Sequence, residues 1–211
     1  SGELDVHLRH ALILSLIRIG AVELTRSALG DPSADVRRAA LIALDQMSHA
    51  GLKETEVVPL LDTDDPQLLE AVLEVISRHE GWVAETVPLF RQWLLAELPN
   101  PRRIEVMRRF FLAQQDDLWV QELVSDALTH RQTIGPIRQM VIEVIAASDQ
   151  DPLPPLWSDG LSVPLRLGGE MGARQAAMQA IGARGLDVHD EVLLEIARHP
   201  EELSAARIEA F

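Results

Sequence analysis

Four arginines lie close together on one segment and could form an anion site or a docking patch. They are Arg102, Arg103, Arg108 and Arg109. Arg102, Glu105 and Arg109 fall on one helical face at steps of three and four, so the glutamate partly neutralises its neighbours. The competing interpretation is a solvated helix face. We carry the four arginines forward as candidate partner-binding residues.

A run of acids at Asp62-Thr-Asp-Asp65 invites a calcium-binding interpretation. A calcium loop of the EF-hand kind also needs a central glycine and a glutamate at its twelfth position. Glycine is absent from the run, and Pro66 suits the first position of a helix. The run is better explained as a turn between repeats in which an aspartate caps the next helix.

Histidines and glycines give no stronger signal of a ligand site. His7 and His10 are spaced for one helical face but lack a third metal ligand, and His189 is interpreted as a surface histidine. Gly168-Gly169 and Gly172 lack the strand and the Lys-Ser/Thr pair of a nucleotide-binding loop. Cysteine is absent, which excludes thiol catalysis. We find no catalytic constellation and predict no cofactor and no metal.

The segment 149–169 is the most irregular part of the chain, and it carries four prolines. Proline inside a helix costs about 3 kcal/mol, so an ordinary long helix is disfavoured there. One interpretation is an insertion on a binding face, which makes Trp157 a candidate partner-binding residue. The favoured alternative is a broken, shortened helix in which Trp157 packs onto the adjacent helix pair.

The elements that carry these residues repeat along the chain. A marker of one apolar residue followed by arginine recurs at steps of 28 to 36 residues, each long enough for two helices and two turns. Its copies are Leu8-Arg9, Val36-Arg37, Ile137-Arg138, Ala173-Arg174 and Ala206-Arg207. Leu68-Leu69 and Ile104-Glu105 keep the apolar residue without the arginine. Asp31-Pro32, Asp65-Pro66 and Asn100-Pro101 mark helix starts.

The second helices of the pairs are predicted between these starts, and no strand is predicted. Their ranges are 22–29, 54–61, 82–98, 117–130 and 187–199. Small and apolar residues follow each marker at helical spacing, which lets a neighbouring helix approach closely. The sequence therefore predicts an all-α fold of stacked helix pairs.

Residues 31–44 resemble the short bacterial form of the HEAT repeat, Asp-Pro-x-x-x-Val-Arg-x-x-Ala-x-x-Ala-Leu. The resemblance covers nearly the whole chain and implies a curved α-solenoid of about six antiparallel helix pairs, with the second helices lining a concave groove. It also implies a structural ladder in which arginines bond the preceding turn and tie repeats together. The ladder residues would be Asp31, Arg37, Arg138, Arg174 and Arg207. Members of this family bind proteins, scaffold assemblies, or bind nucleic acid or a chromophore.

The charge of the chain argues against nucleic acid as a partner. The formal net charge is −14 over 211 residues, and a phosphate backbone requires a basic stripe. Residues 54–85 hold nine acids and one base, Arg78, so this region either steers a basic partner or keeps the protein soluble. No apolar run reaches the 18 residues of a membrane-spanning helix, so no membrane insertion is predicted.

The chain is expected to be one repeat domain over residues 1–211 and a fragment of a longer protein. Ser1-Gly2 looks like a cloning scar, Phe211 falls inside a predicted helix, and Lys53 is the only lysine, which suggests a GC-rich bacterial genome. Leu8–Ile13 and Leu41–Met47 are also similar to the helical-repeat region of large exported bacterial proteins that join a dehydrogenase domain to a cytochrome c domain. That similarity implies a location in or beyond the periplasm, while a cytoplasmic location stays open.

Two functions follow from these observations. The first is a non-enzymatic scaffold that binds a protein partner or a neighbouring domain of the same polypeptide. The alternative is a HEAT-like enzyme, of the DNA glycosylase or chromophore lyase type, that acts in the concave groove. A basic groove lined by tryptophan and aspartate, or salt-sensitive DNA binding, would favour the enzyme.

Overall fold

The computed structural model describes residues 13–98, 100–166 and 171–198. Within these ranges the chain forms helices joined by turns, without a strand, which confirms the prediction of an all-α fold. No helix in the described ranges is both long enough and apolar enough to cross a membrane.

Residues 13–19 are helical and are called α1. The α-helices that follow are α2 (Val22–Ser27), α3 (Ala34–Gln46), α4 (Glu54–Val57), α5 (Pro66–Arg78), α6 (Trp82–Leu94), α7 (Pro101–Ala113), α8 (Leu118–Thr129), α9 (Gly135–Ala147), α10 (Pro155–Gly160), α11 (Ser162–Arg166), α12 (Met171–Arg184) and α13 (Asp190–Arg198). Short 3-10 turns cover Ala28–Gly30, Val58–Leu61 and Asp187–His189.

The chain divides into two compact units, and the boundary between them falls within α6. Unit 1 is Ser1–Thr86, in which α3 packs against α5 and α2 packs against α3. The core of unit 1 is aliphatic: Leu41, Leu44, Val57, Leu61, Leu68, Val72 and Ile76 are almost completely buried.

Unit 2 is Val87–Phe211. In this unit α7 packs against α9, α9 packs against α12, and α10 packs against α8. An aromatic cluster lies in its core, where the rings of Phe90 and Phe110 have centroids 4.7 Å apart. Alanines on α12, such as Ala173, Ala177 and Ala180, are buried, and small side chains allow α12 to approach α9 closely.

Capping side chains explain where three helices begin. The carboxylate of Asp65 accepts hydrogen bonds from Gln67 N at 3.0 Å and Leu68 N at 2.7 Å, and Pro66 is the first residue of α5. Asn100 caps α7 and Asp117 caps α8 in the same way. The acidic run before Pro66 is thus a capped turn, as its better interpretation predicted.

The predicted start at Asp31-Pro32 is two residues early. The helix α3 begins at Ala34, and Asp31 Oδ1 instead accepts a hydrogen bond from Ser33 N at 2.8 Å. Asp31 therefore closes a local turn before the helix. Gly81 separates α5 from α6, and its φ of 83° is a left-handed angle that favours glycine.

Candidate interaction surface

The four arginines of the predicted patch all lie on α7, and all of them interact with other groups of the protein. Arg108 Nη1 is 2.6 Å from Glu143 Oε2 on α9, and Arg109 Nε is 3.3 Å from Glu105 Oε1. Glu105 Oε2 is also 3.6 Å from Arg108 Nε. Glu105 thus pairs with Arg109, as their spacing predicted, and Arg108 contacts both Glu105 and Glu143.

Arg103 packs on an aromatic ring. Its guanidinium carbon lies 5.0 Å from the ring centroid of Trp93, a side chain that is itself almost completely buried. Such a cation–π contact holds the arginine stem against the protein surface. Arg102 is exposed in the first turn of α7. The cluster consequently offers less unpaired positive charge to an anion than its sequence suggests.

Trp157 requires a correction. Its side chain is completely buried, and its indole Nε1 donates a hydrogen bond to the Gln121 carbonyl oxygen at 3.0 Å. It lies on α10, which packs against α8. A side chain without exposed surface cannot contact a partner, so its candidate role in partner binding is wrong. The packed, shortened helix was the better interpretation, because the segment forms the short helices α10 and α11.

A different apolar group is exposed in unit 2, and the sequence analysis did not select it. Leu118 and Trp119 occupy the first turn of α8 and are 73% and 48% exposed. Leu156 on the neighbouring α10 is 51% exposed. We call these three residues the apolar edge. The sequence could have indicated this exposure through helical spacing. The buried face of α8 begins at Val120 and continues at Leu123, so the two residues before Val120 lie outside it.

Two of the proposed ladder arginines bond the turn that precedes their own helix. Arg37 Nη1 donates to the carbonyl oxygens of Asp31 at 2.7 Å and Pro32 at 3.0 Å. Arg138 is completely buried and donates to the carbonyl oxygens of Leu128 at 3.0 Å and His130 at 2.8 Å. In both cases a guanidinium donates to backbone carbonyls at the end of a helix or in a turn.

Three further residues were proposed for the ladder. Arg174 is half-buried on α12, and Arg207 lies outside the described residues. The side chain of Asp31 bonds its own turn at Ser33.

Arg184 is an arginine tie that the marker pattern missed. It lies at the end of α12 and donates to the carbonyl oxygens of Ile145 and Gln150, each at 2.9 Å, and to Ser148 Oγ at 2.9 Å. These groups surround the end of α9. Because Arg184 ends its helix instead of starting it, a search for an apolar residue followed by arginine at a helix start could not find it.

In unit 1, Arg26 bonds both a backbone carbonyl and a carboxylate. It donates to the Ala50 carbonyl oxygen at 2.5 Å and pairs with the Glu56 carboxylate. The hydrogen bond from Arg26 lowers the pKa of the Glu56 carboxyl, and the same bond raises the pKa of Arg26. Glu56 in turn accepts from the Lys53 backbone N–H at 2.9 Å, which fixes the start of α4.

Two histidines, His79 and His189, make packing contacts. His79 Nε2 lies 2.7 Å from Asp45 Oδ1, and its ring stacks on Trp82 with centroids 4.0 Å apart. His189 is buried, in contrast to the predicted surface position, with Nε2 2.8 Å from the Ser158 carbonyl oxygen. Within the described ranges, no group of three histidine, aspartate or glutamate side chains could hold a metal ion.

The chain was compared with known protein families, with curated proteins and with solved structures, and it matches none of them.

Proposed function

We propose that the chain is a non-enzymatic interaction module built as a solenoid of about six HEAT-like helix pairs, which holds a protein partner or a neighbouring domain. The observation that carries the proposal is the sequence separation of its long-range side-chain bonds. In a solenoid each repeat contacts only its neighbours, so such bonds should join residues one repeat apart.

The separations agree with one repeat in each unit. In unit 1, Arg78 and His79 bond Asp45, at separations of 33 and 34 residues. In unit 2, the Asp149 backbone N–H donates to Gln115 Oε1 and Arg184 donates to the Gln150 carbonyl, both at a separation of 34. These values lie within the spacing of 28 to 36 residues between the sequence markers, whereas the bonds from Arg26 to the Ala50 carbonyl and from Arg184 to the Ile145 carbonyl span 24 and 39 residues.

The order of helix packing in unit 2 supports the same arrangement. The helices α7, α9 and α12 pack one after another, and α8 packs against α10. Each of these contacts skips one or two helices in the chain, as expected when the first helices of successive pairs stack on each other. The second helices then present an extended surface.

The apolar edge is the part of that surface best suited to a protein partner. Tryptophan is enriched at protein interfaces because it buries a large rigid area, and Leu118, Trp119 and Leu156 are each exposed on α8 or α10. The net charge of −14 favours a protein over nucleic acid.

Site-specific photo-crosslinking in the source organism tests this function. A photoreactive phenylalanine analogue replaces Trp119 in one variant and Ala146, exposed on α9, in a control. We expect position 119 to give one discrete cross-linked product, and the purified partner to bind the Trp119→Asp variant at least about tenfold more weakly. Equal products at both positions, or unchanged binding by Trp119→Asp, would contradict the proposal. Salt-sensitive DNA binding by the purified chain would favour the enzyme instead.

A further inference from the structure

Two hydrogen bonds fix α10 against α8 beside the apolar edge. The buried indole of Trp157 on α10 donates to the Gln121 carbonyl oxygen of α8 at 3.0 Å. One turn later on α8, Ser125 Oγ donates to the Leu156 carbonyl oxygen at 3.4 Å. Leu118 and Ser125 lie on one face of α8, seven residues apart. Leu156 is therefore held next to the face of α8 on which Leu118 lies two turns earlier.

The two ends of the apolar edge are spaced like two turns of a helix. At a rise of 1.5 Å per residue, Leu118 and Ser125 are about 10 Å apart along α8. A partner helix that lies along α8 could place apolar residues at positions i and i+7 against the two ends, with a residue at i+3 or i+4 between them. Because the ends are fixed by α8 and by its bonds to α10, little ordering would be required on binding.

Carboxylates surround the apolar edge. Residues 114–129 and 149–160 together hold seven acids and no lysine or arginine. Glu122 on α8 and Asp159 on α10 are exposed, and each follows an apolar residue of the edge by one helical turn. The apolar edge is thus bordered by negative charge on both of its helices.

One arginine compensates part of this charge, but at a distance from the apolar edge. Arg91 Nη2 on α6 is 3.3 Å from Asp126 Oδ2, two turns beyond Trp119. Glu122 and Asp159 lie one turn from apolar residues of the edge, within the screening length of about 8 Å at physiological ionic strength. A lysine or arginine on a partner that covers the edge would be attracted by these two acids, and an acidic partner would be repelled.

The secondary structure around the apolar edge favours a helical partner. The described part of the chain contains no strand, so it offers an extended segment no sheet edge to pair with. An extended segment would therefore place backbone N–H and C=O groups against apolar side chains without partners, whereas a helix satisfies its own.

We propose that the apolar edge binds a basic amphipathic helix of the partner. The apolar face of this helix covers Leu118, Trp119 and Leu156, and its lysine or arginine side chains meet Glu122 and Asp159. This inference rests on the proposed scaffold function and specifies the chemistry of the protein that the scaffold holds.

Fluorescence anisotropy of labelled synthetic peptides, titrated with the full chain, tests the proposal. The basic probe is an amphipathic helix of about 18 residues with leucine at helical spacing and lysine on the other positions. The acidic probe has glutamate in place of each lysine, and a third probe keeps the lysines but carries proline at its centre. We expect the basic probe to bind at least about tenfold more tightly than the other two. Equal binding of the basic probe and either of the others would overturn the proposal.

Variants of the chain separate a specific site from general attraction to an acidic protein. Trp119→Ser should weaken the basic probe at least about tenfold, and the double variant Glu122→Gln with Asp159→Gln about three- to tenfold. The matched control is Glu70→Gln with Glu80→Gln, two exposed acids of unit 1, which should leave the affinity unchanged. Equal losses in the two double variants, or unchanged binding by Trp119→Ser, would overturn the proposal.

Cross-linking at position 119 separates this inference from the function on which it rests. We expect the cross-linked segment of the partner, mapped by mass spectrometry, to carry apolar residues at helical spacing beside lysine or arginine. A discrete product whose segment lacks either feature would overturn the basic helix and leave the scaffold function standing. The absence of a discrete product at position 119 would contradict the scaffold function itself.

Discussion

Arginine side chains have opposite surroundings in two parts of unit 2, on α7 and at Arg138 on α9. Arg108 and Arg109 reach carboxylates near the surface, where water screens the attraction. Arg138 is completely buried and bonds the backbone carbonyls of Leu128 and His130. We infer that arginines bonded to backbone carbonyls stabilise this fold more than arginines paired with carboxylates.

Removal of the buried guanidinium should have the largest effect. In Arg138→Ala, the carbonyls of Leu128 and His130 lose a charged donor and a cavity replaces the side chain. We expect the free energy of unfolding to fall by about 3–5 kcal/mol, measured by urea denaturation. Arg138→Lys serves as the control, because lysine keeps the charge but not the fork of donors, and should recover only part of the loss. A loss below about 1 kcal/mol would remove the distinction between the two kinds of arginine.

A half-buried tie should have an intermediate effect. Arg37 bonds the carbonyls of Asp31 and Pro32 at the edge of the solvent. Arg37→Ala is expected to lower the free energy of unfolding by about 1–3 kcal/mol in a thermal or urea melt. Arg109→Ala, the matched surface variant, should change it by no more than about 0.5 kcal/mol. The comparison between carbonyl and carboxylate partners fails if the two variants lose the same amount.

Two buried threonines extend the comparison to a neutral group. Thr25 and Thr133 are both 2% exposed, but Thr25 Oγ1 bonds the Ala21 carbonyl at 2.9 Å and Thr133 Oγ1 has no partner in the described part of the chain. Valine has nearly the same shape. We expect Thr25→Val to lower and Thr133→Val to raise the free energy of unfolding, each by about 1 kcal/mol. Melts that shift in the same direction for both variants would contradict this account of the two hydroxyls.

Arg26 gives the smallest expected effect, visible only as a dependence on pH. Its hydrogen bond lowers the pKa of Glu56 in the folded state below the ordinary value of 4.5. A carboxyl with a depressed folded pKa stabilises the fold above its unfolded pKa, and this contribution disappears as the pH falls through the folded pKa. Urea melts between neutral and acid pH should therefore show less acid sensitivity in Arg26→Gln. Identical pH profiles for the variant and the wild type would show that the pair contributes nothing.

The sequence predicted the helices better than it predicted which side chains they expose. Helix starts at Pro66 and Pro101 were readable because proline and a capping side chain act within one turn. The burial of Trp157 and His189 depends on packing partners 31 to 36 residues away, Gln121 and Ser158, which local patterns do not contain.

The candidate site was predictable only in part, for the same reason. The clustering of arginines on α7 follows from the sequence, and so does the pairing of Arg109 with Glu105 four residues earlier. The pairing of Arg108 with Glu143 joins α7 to α9, which are far apart in the sequence, and required the structure. Thr133 shows the limit most clearly, because the lack of a partner for a buried hydroxyl is visible only in three dimensions.

Hydrogen exchange on Arg184→Ala tests the repeat architecture most directly. Arg184 on α12 bonds the carbonyls at the end of α9. In a stack whose repeats contact only their neighbours, its loss should speed amide exchange in α9 and α12 and leave α3 in unit 1 at the wild-type rate. Equal acceleration in α3, α9 and α12 would show a single cooperative bundle and would contradict the solenoid.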